Sequence, residues 1–353
     1  MLKPIDSEMG LLPNIILYDV AEAYGFNEFL VFPYMNINEI PVSINQRSET
    51  SRKAVLESDH NMYLLKEFPW YTEDEERVQE LLKFQSELYE NGVPVPKIIQ
   101  TKYGDLYIEI YKKKLFLQEY LEGVSWKSTV SQANQIGRML ATFHVTSRNL
   151  STMKPWKFRL QSLFDLAQGI LTLLTKKFVY HRKQLPLKEE KIISSYLHIA
   201  NNRIKKLKAH CMSLGYGKEK LIVHGDFNPN NLIYTKKDQV LGLIDFDNAT
   251  FDDPLHDLAE GLINVSGIRF RPFSSRYQEF LPTLNSERFI AFLQGYKSKV
   301  TMKIDWELLP YCIATTYIEL MTLGLLRGDL LYRDALSRLN QLDLIISQVH
   351  DYL

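Results

Sequence analysis

The chain reads as an α+β protein in two lobes, a small antiparallel β lobe with one main helix followed by a large helical lobe carrying a short hairpin. Three observations carry that expectation. Short β-prone runs punctuated by polar turns dominate from about residue 40 to residue 121. Helical periodicity dominates after Gly123. One β-rich interruption, LIVHGD, NLIYT and QVLGLIDF, breaks the helical half. The expected division is residues 1–121, opening with a leading helix, and residues 122–353.

In the first lobe PVSIN, RKAVLES and MYLLKEF are strand candidates, separated by the polar turns QRSET and SDHN. EDEERVQELLKFQSELYENG then places Val78, Leu81, Leu82, Phe84 and Leu88 near helical spacing, with acidic residues in the first turn and Gly92 as a stop. After GVPVPKII, two further strands, LYIEIY and LFLQEYL, are joined by the tight KKK turn. In the second lobe SQANQIGRMLATFH puts Ile136, Met139, Leu140 and Phe143 on one face. KIISSYLHIANNRIKKLK does the same with Ile193, Tyr196, Leu197, Ala200, Ile204 and Leu207. The basic cluster Arg203 to Lys208 has the composition of a nucleic-acid patch, but on an amphipathic helix it reads as the solvated outer face.

Bulk properties exclude several classes. Lys+Arg and Asp+Glu are equal at 42 each, so net charge gives no case for nucleic acid or an acidic membrane as partner. Cys211 and Cys312 form no CxxC pair and no zinc-spaced cluster, which argues for a reducing compartment, the cytoplasm, and against a structural metal. The first twenty residues, broken by Pro13, Asn14 and Asp19, read as neither a signal peptide nor a membrane span.

The chemistry concentrates in LIVHGDFNPNNLIY, a polar run between apolar flanks. Asp226 and Asn231 are five residues apart, and Asp245 follows Asn231 by fourteen, a spacing that can bring three oxygen-bearing side chains to one end of a hairpin. Carboxylate and amide oxygens suit Mg²⁺, whose remaining positions go to water and phosphate oxygens. Phosphoryl transfer needs such a metal, a carboxylate at the acceptor hydroxyl and a cation on the donor phosphates.

HGDFNPNNLI, then LIDFD, then DDPLHDLA resembles the signature of the aminoglycoside phosphotransferase and choline kinase family, a branch of the protein-kinase-like fold. YLLKEF resembles the strand with the phosphate-binding lysine, GVPVP the turn after the first-lobe helix, QEYLEG the hinge, and IGRMLATFH the family's LGxxLAxLH helix. The resemblance implies an ATP- and Mg²⁺-dependent phosphotransferase. Asp226 is then the catalytic carboxylate, acting by position and charge more than by basicity. Asn231 and Asp245 hold the metal, and Lys66 meets the α/β-phosphates. Glu80 is its expected helix partner, by distance to GVPVP, with Glu76 one turn earlier left open. Asp257 braces the HGD backbone, and the backbone of Glu119, Tyr120 and Leu121 meets the adenine edge. His224 takes a structural role. Asn228 and Asn230 are turn formers or substrate contacts, and the plain alternative for Lys66 is a solvent-exposed strand lysine.

Two departures from protein kinases stand out. QRSETS contains no glycine where a Gly-rich loop would lie, leaving Ser48, Thr50 or Ser51 to supply phosphate contacts. Asp247 replaces the glycine after Phe246 and is either a metal-shell carboxylate or a turn residue. Only seven residues separate Asp245 from Asp253, too few for a peptide platform, so the expected acceptor is a small-molecule hydroxyl: sugar, amino sugar, aminoglycoside or amino alcohol. RGDLLYRDA and AEAYGF resemble, more faintly, the homoserine and sugar kinase branch. Acidic residues downstream of Asp253 are few and scattered (Asp257, Glu260, Glu279, Glu287, Asp305, Glu307, Glu319 and Asp329), which favours a neutral or zwitterionic acceptor over a polycation. The competing class is a catalytically silent nucleotide-binding pseudokinase.

Overall fold

The computed structural model describes residues 14–33, 53–68, 74–153, 156–267, 284–328 and 330–353, and the chain divides into two compact units. The first comprises Met1–Lys127, Asn149–Phe158 and Asn230–Ala249. It therefore takes in the hairpin that a single cut after residue 121 leaves with the second lobe.

The first unit opens with α1 (Asn14–Tyr24) and continues with β1 (Leu30–Pro33), β2 (Lys53–Ser58), β3 (Asn61–Glu67), α2 (Glu75–Glu90), β4 (Ile98–Ile99), β5 (Ile108–Ile110) and β6 (Lys113–Glu119). The sheet is antiparallel in the order β1-β2-β3-β6-β4, with β5 also on β6. β2 and β3 turn through Asp59 and His60, both at positive φ, as two-residue hairpins require. The second hairpin turns at Tyr111–Lys112, one residue earlier than KKK suggests, so Lys113 and Lys114 lie in β6. PVSIN and QRSETS lie outside the described residues.

Strand alternation gives this sheet two different faces. Ala54, Leu56, Leu65, Leu115 and Leu117 pack on Ile16, Leu17, Val20 and Tyr24 of α1. Leu64, Lys66, Phe116 and Gln118 share a pocket with Leu81, Leu82 and Gln85 of α2. The helix itself is set by Asp74, whose carboxylate accepts from the Glu76 N–H at 3.1 Å, and ends where Gly92 takes φ 78°.

The second unit comprises Ser128–Arg148, Arg159–Pro229 and Thr250–Leu353. Its helices are α3 (Val130–Met153, whose last residues belong to the first unit), α4 (Leu163–His181), α5 (Leu187–Leu214), α6 (Leu255–Ser266), α7 (Ser286–Lys297), α8 (Leu309–Arg327), α9 (Tyr332–Leu339) and α10 (Leu342–Tyr352). The β-rich interruption proves to be two separate ribbons. β7 (Leu221–Val223) pairs with β10 (Thr250–Asp252), and β8 (Leu232–Tyr234) pairs with β9 (Val240–Leu243) in the first unit. The sequence reading missed β10, a strand of only three residues. Trp306–Arg327 is long and apolar enough to cross a membrane, but 72% of that window is buried in the protein, as befits a core helix.

α3 and α7 cross at two glycines. A Cβ on Gly137 would stand 2.0 Å from the Phe292 carbonyl oxygen, and one on Gly295 would stand 2.0 Å from that of Asn134. Backbone cannot swing aside as a flexible side chain can. Gly295→Ala should therefore cost about 1–3 kcal/mol, read as a lowered urea midpoint. Gly169→Ala on α4, where a Cβ meets nothing within 4 Å, should be neutral or stabilising by up to about 1 kcal/mol.

Candidate active site

In the first unit, β3 delivers Lys66 to two carboxylates. Its Nζ lies 2.7 Å from Asp245 Oδ1 and 2.7 Å from Asp247 Oδ1, while Lys53 Nζ stands 3.6 Å from Asp245 Oδ2. Lys66 is buried, which excludes the solvent-exposed reading. Burial disfavours its charge, yet the charges and hydrogen bonds of Asp245 and Asp247 outweigh this and hold its pKa above the ordinary lysine value. Asp247 is displaced upward, foremost by burial and further by Asp245, with Lys66 opposing.

Asp245 follows β9 with φ 72°, a left-handed conformation that aspartate tolerates better than most side chains. A short 3₁₀ turn, Phe246–Asn248, then carries Asp247 back toward Lys66. Arg77 of α2 anchors that turn by donating to the Asp247 carbonyl at 2.9 Å. Across the hairpin the Asn231 carbonyl accepts from the Ile244 N–H at 2.9 Å, so Asn231 and Asp245 stand at the same hairpin end. This bond relates the two residues through their backbone, at the end of the β8–β9 hairpin.

The expected pairing of Lys66 with Glu80 does not form, and Glu76 does not replace it. Glu80 accepts from the Lys157 backbone N–H at 3.3 Å and stands 3.8 Å from Lys83 Nζ, and Glu76 pairs with the Lys157 ammonium. The reason is helical phase. The face of α2 turned to Lys66 is Leu81, Leu82 and Gln85, and Glu80 is rotated about 150° from the centre of that face. Asp247 supplies the second carboxylate instead.

At the expected hinge, the Glu119 N–H donates to the Lys97 carbonyl at 2.9 Å and the Tyr120 N–H to that of Met62 at 3.1 Å. Of the three N–H groups, only that of Leu121 has no partner among the described residues, which narrows the backbone donors left for a nucleotide base. Ser48, Thr50 and Ser51 lie outside the described residues.

In the second unit, Asp226 follows β7 by way of His224 and Gly225, the latter at φ 72°. Asp257, in the first turn of α6 and fully buried, accepts from the N–H groups of His224 at 2.7 Å and Gly225 at 2.9 Å. This is the bracing geometry that the family resemblance implies. His144 of α3 lies 3.1 Å from the same carboxylate through Nε2 and 2.8 Å from the Tyr296 hydroxyl through Nδ1. Burial raises the Asp257 pKa, but the hydrogen bond and charge of His144 override it and keep the carboxylate ionised. Asn228 donates to Asp226 Oδ1 at 2.8 Å and to its carbonyl at 3.2 Å, so it holds the loop.

Two further acids belong to the helices of this unit, Glu260 at the loop itself and Glu319, which the sequence offers with Arg327, Asp329 and Arg333 as a polar candidate for the acceptor pocket. Glu260 of α6 accepts from the Phe227 N–H at 2.8 Å, and burial, with the Asp226 charge next, raises its pKa well above the carboxylate norm. Glu319 of α8 is only 8% exposed. Burial pushes it up to about 7, with the charge of His256 opposing and that of Asp226 adding. Between the unfolded value near 4.5 and about 7 the folded chain binds the extra proton. Its contribution to stability is thus present below 4.5 and lost as pH rises through 7. Glu319→Gln should flatten the fall of melting temperature between pH 5 and 8, removing a dependence of roughly 3 kcal/mol.

The model of the phosphotransferase enzyme family matches residues 43–294. The chain belongs to that family. Phosphotransferase chemistry is therefore a property of the sequence family and no longer rests on motif spacing alone. No curated protein sequence matches this family member. Among solved structures it is similar in fold to amicoumacin kinase hAmiN in complex with AMP-PNP, Ca²⁺ and Ami, with TM-score 0.64, 15% identity and 96% of each chain covered. Choline kinase from Cryptosporidium parvum Iowa II gives TM-score 0.63 at 13% identity, covering 96% of this chain and 97% of that one. An aminoglycoside phosphotransferase from Alicyclobacillus acidocaldarius subsp. acidocaldarius gives 0.61 at 15% identity, with 98% of each covered. At these identities the likeness establishes the two-lobed kinase-like fold of this phosphotransferase.

Proposed function

We propose that the chain transfers the γ-phosphoryl group of ATP, with Mg²⁺, to a hydroxyl of a small molecule. The observation that carries this reading is the Lys66–Asp245–Asp247 cluster at the hairpin end that also bears Asn231. The fit of a divalent cation rests on the same observation. Asn231 and Asp245 offer hard oxygen donors, and the ammonium already drawn to Asp245 and Asp247 marks this end of the hairpin as attractive to positive charge. A bound Mg²⁺ would neutralise phosphate charge as it develops.

The residues then take these roles. Residues 1–121, extended by the β8–β9 hairpin, bind the nucleotide. Lys66 holds phosphate oxygens as a point charge, and Asn231 and Asp245 hold the cation. Backbone groups from Glu119 to Leu121 face the base, with the Leu121 N–H as the available donor. Asp226 orients the acceptor hydroxyl: the acceptor O–P bond forms, the bond from Pγ to the β-γ bridging oxygen breaks, ADP leaves, and Asp226 takes the hydroxyl proton late. The seven residues between Asp245 and Asp253 are taken up by the 3₁₀ turn and β10, which supports a small acceptor.

The absence of a helix glutamate beside Lys66 favours one second reading, a nucleotide-binding protein without turnover. ADP release with Mg·ATP over a panel of sugars, amino sugars, aminoglycosides and amino alcohols separates the two. Acceptor-dependent release that EDTA abolishes and Mg²⁺ restores supports the kinase. A thermal shift with Mg·ATP and no release with any acceptor supports the second reading.

A further inference from the structure

The backbone after β9 adopts a conformation that needs support. Asp245 takes φ 72° and ψ 64°, and the 3₁₀ turn Phe246–Asn248 follows at once. A non-glycine residue in this left-handed region persists only where its surroundings fix it. The Ile244 N–H, donating to the Asn231 carbonyl, holds the chain before the bend. The Ala249 N–H donates to the Phe246 carbonyl at 3.0 Å and closes the turn after it. A turn this short cannot bond its own last carbonyls. Arg77 takes them: its Nη2 donates to the Asp247 carbonyl at 2.9 Å and to that of Ala249 at 3.5 Å.

An arginine at this place does not serve its own helix. Arg77 lies in the first turn of α2, where the helix dipole favours acids such as Glu75 and Glu76 and disfavours a cation. Nor does this end of α2 send a carboxylate to Lys66, because Glu76 and Glu80 turn to Lys157. What it sends toward the Lys66 cluster is the guanidinium. Asp74 caps the helix and Val78, the next residue, is buried, so Arg77 springs from a fixed base. A guanidinium Nη carries two N–H groups, enough to address both carbonyls. The turn that it holds carries the Asp247 carboxylate to Lys66 at 2.7 Å, beside that of Asp245 at the same distance.

We propose that Arg77 is a positioning residue for nucleotide binding: by holding the Asp247 and Ala249 carbonyls it fixes the turn in which Asp245 and Asp247 meet Lys66, and affinity for Mg·ATP depends on it through the backbone. This rests on the phosphotransfer reading above. Without Arg77 the turn keeps its side-chain pairs with Lys66 but loses the anchor on its main chain. Asp245 and Lys66 then no longer hold a single relative placement, and misplacement of groups that must act together weakens binding and rate alike.

The test is isothermal titration of Mg·ATP into the native chain, Arg77→Ala, Arg77→Lys and Glu80→Gln, with the melting temperature of each. Arg77→Ala should bind about 10- to 100-fold more weakly than the native chain. Arg77→Lys keeps the charge without the planar fork and should lie between the two. It also decides the matter if the alanine variant does not fold. Glu80→Gln, on the same helix but turned away from Lys66, should bind as the native chain does. In turnover, the Arg77 variants should raise KM for ATP and leave KM for the acceptor unchanged. Native affinity in every Arg77 variant that folds, whatever its melting temperature, would overturn the proposal and leave the kinase reading standing. An equal loss in Glu80→Gln would also overturn it, because the effect would then belong to α2 as a whole. A native chain that binds no Mg·ATP would overturn both.

Discussion

Asp226→Ala should abolish turnover and leave Mg·ATP binding nearly unchanged. The substitution removes the group assigned to the acceptor hydroxyl, and positioned proton transfer with orientation is worth about 10²–10⁴-fold in rate. The nucleotide contacts assigned here come from the first unit, on β3, the hinge and the β8–β9 hairpin, and none of them is Asp226. The fold should also survive. The loop is held from below by Asp257, through the N–H groups of His224 and Gly225, and by Glu260 through that of Phe227. Those bonds use main-chain donors that alanine keeps. Steady-state rates with isothermal titration of Mg·ATP check both halves, and loss of nucleotide affinity alongside activity would reassign Asp226 to structure.

Lys66→Ala should be the more damaging change overall, because it strikes binding and stability together. Without the Lys66 ammonium, Asp245 and Asp247 are left with Lys53 alone, 3.6 Å from Asp245 Oδ2, and removing one partner of a buried ion pair costs roughly 3–5 kcal/mol. Asp247, already displaced upward by burial, should then take up a proton and limit that cost. On the kinetic side kcat/KM for ATP should fall about 10²- to 10³-fold, the usual loss for one preorganised donor on a developing charge. Asp247→Asn separates the effects. It keeps the volume and leaves Lys66 with Asp245, so it should raise KM for ATP modestly with little change in melting temperature. An effect as large as that of Lys66→Ala would make Asp247 a metal-binding residue.

The parts of the site that sequence reveals are those governed by local spacing. Asn231 and Asp245 come to the same hairpin end because Leu232 stands opposite Leu243 and the Ile244 N–H donates to the Asn231 carbonyl. Asp257 reaches the HGD backbone because it occupies the first turn of a helix that follows β10 directly. The partner of Lys66 was illegible for the converse reason. Glu80 and Leu81 are neighbours in sequence but face different directions on α2, and a distance counted to GVPVP carries no rotational information. β10 escaped notice because three residues, TFD, have no periodicity to read. Glu319 did leave a signal, a lone acid in an apolar helix, but the burial that raises its pKa exists only in the folded helical unit.

Transfer of a phosphoryl group to a small hydroxyl compound should depend on Asp226. Its most direct measurement is mass spectrometry of the acceptor after incubation with Mg·ATP, native chain beside Asp226→Asn. A singly phosphorylated acceptor is expected with the native chain and none with the variant at equal nucleotide binding. Equal amounts of phosphorylated acceptor from both proteins would contradict it.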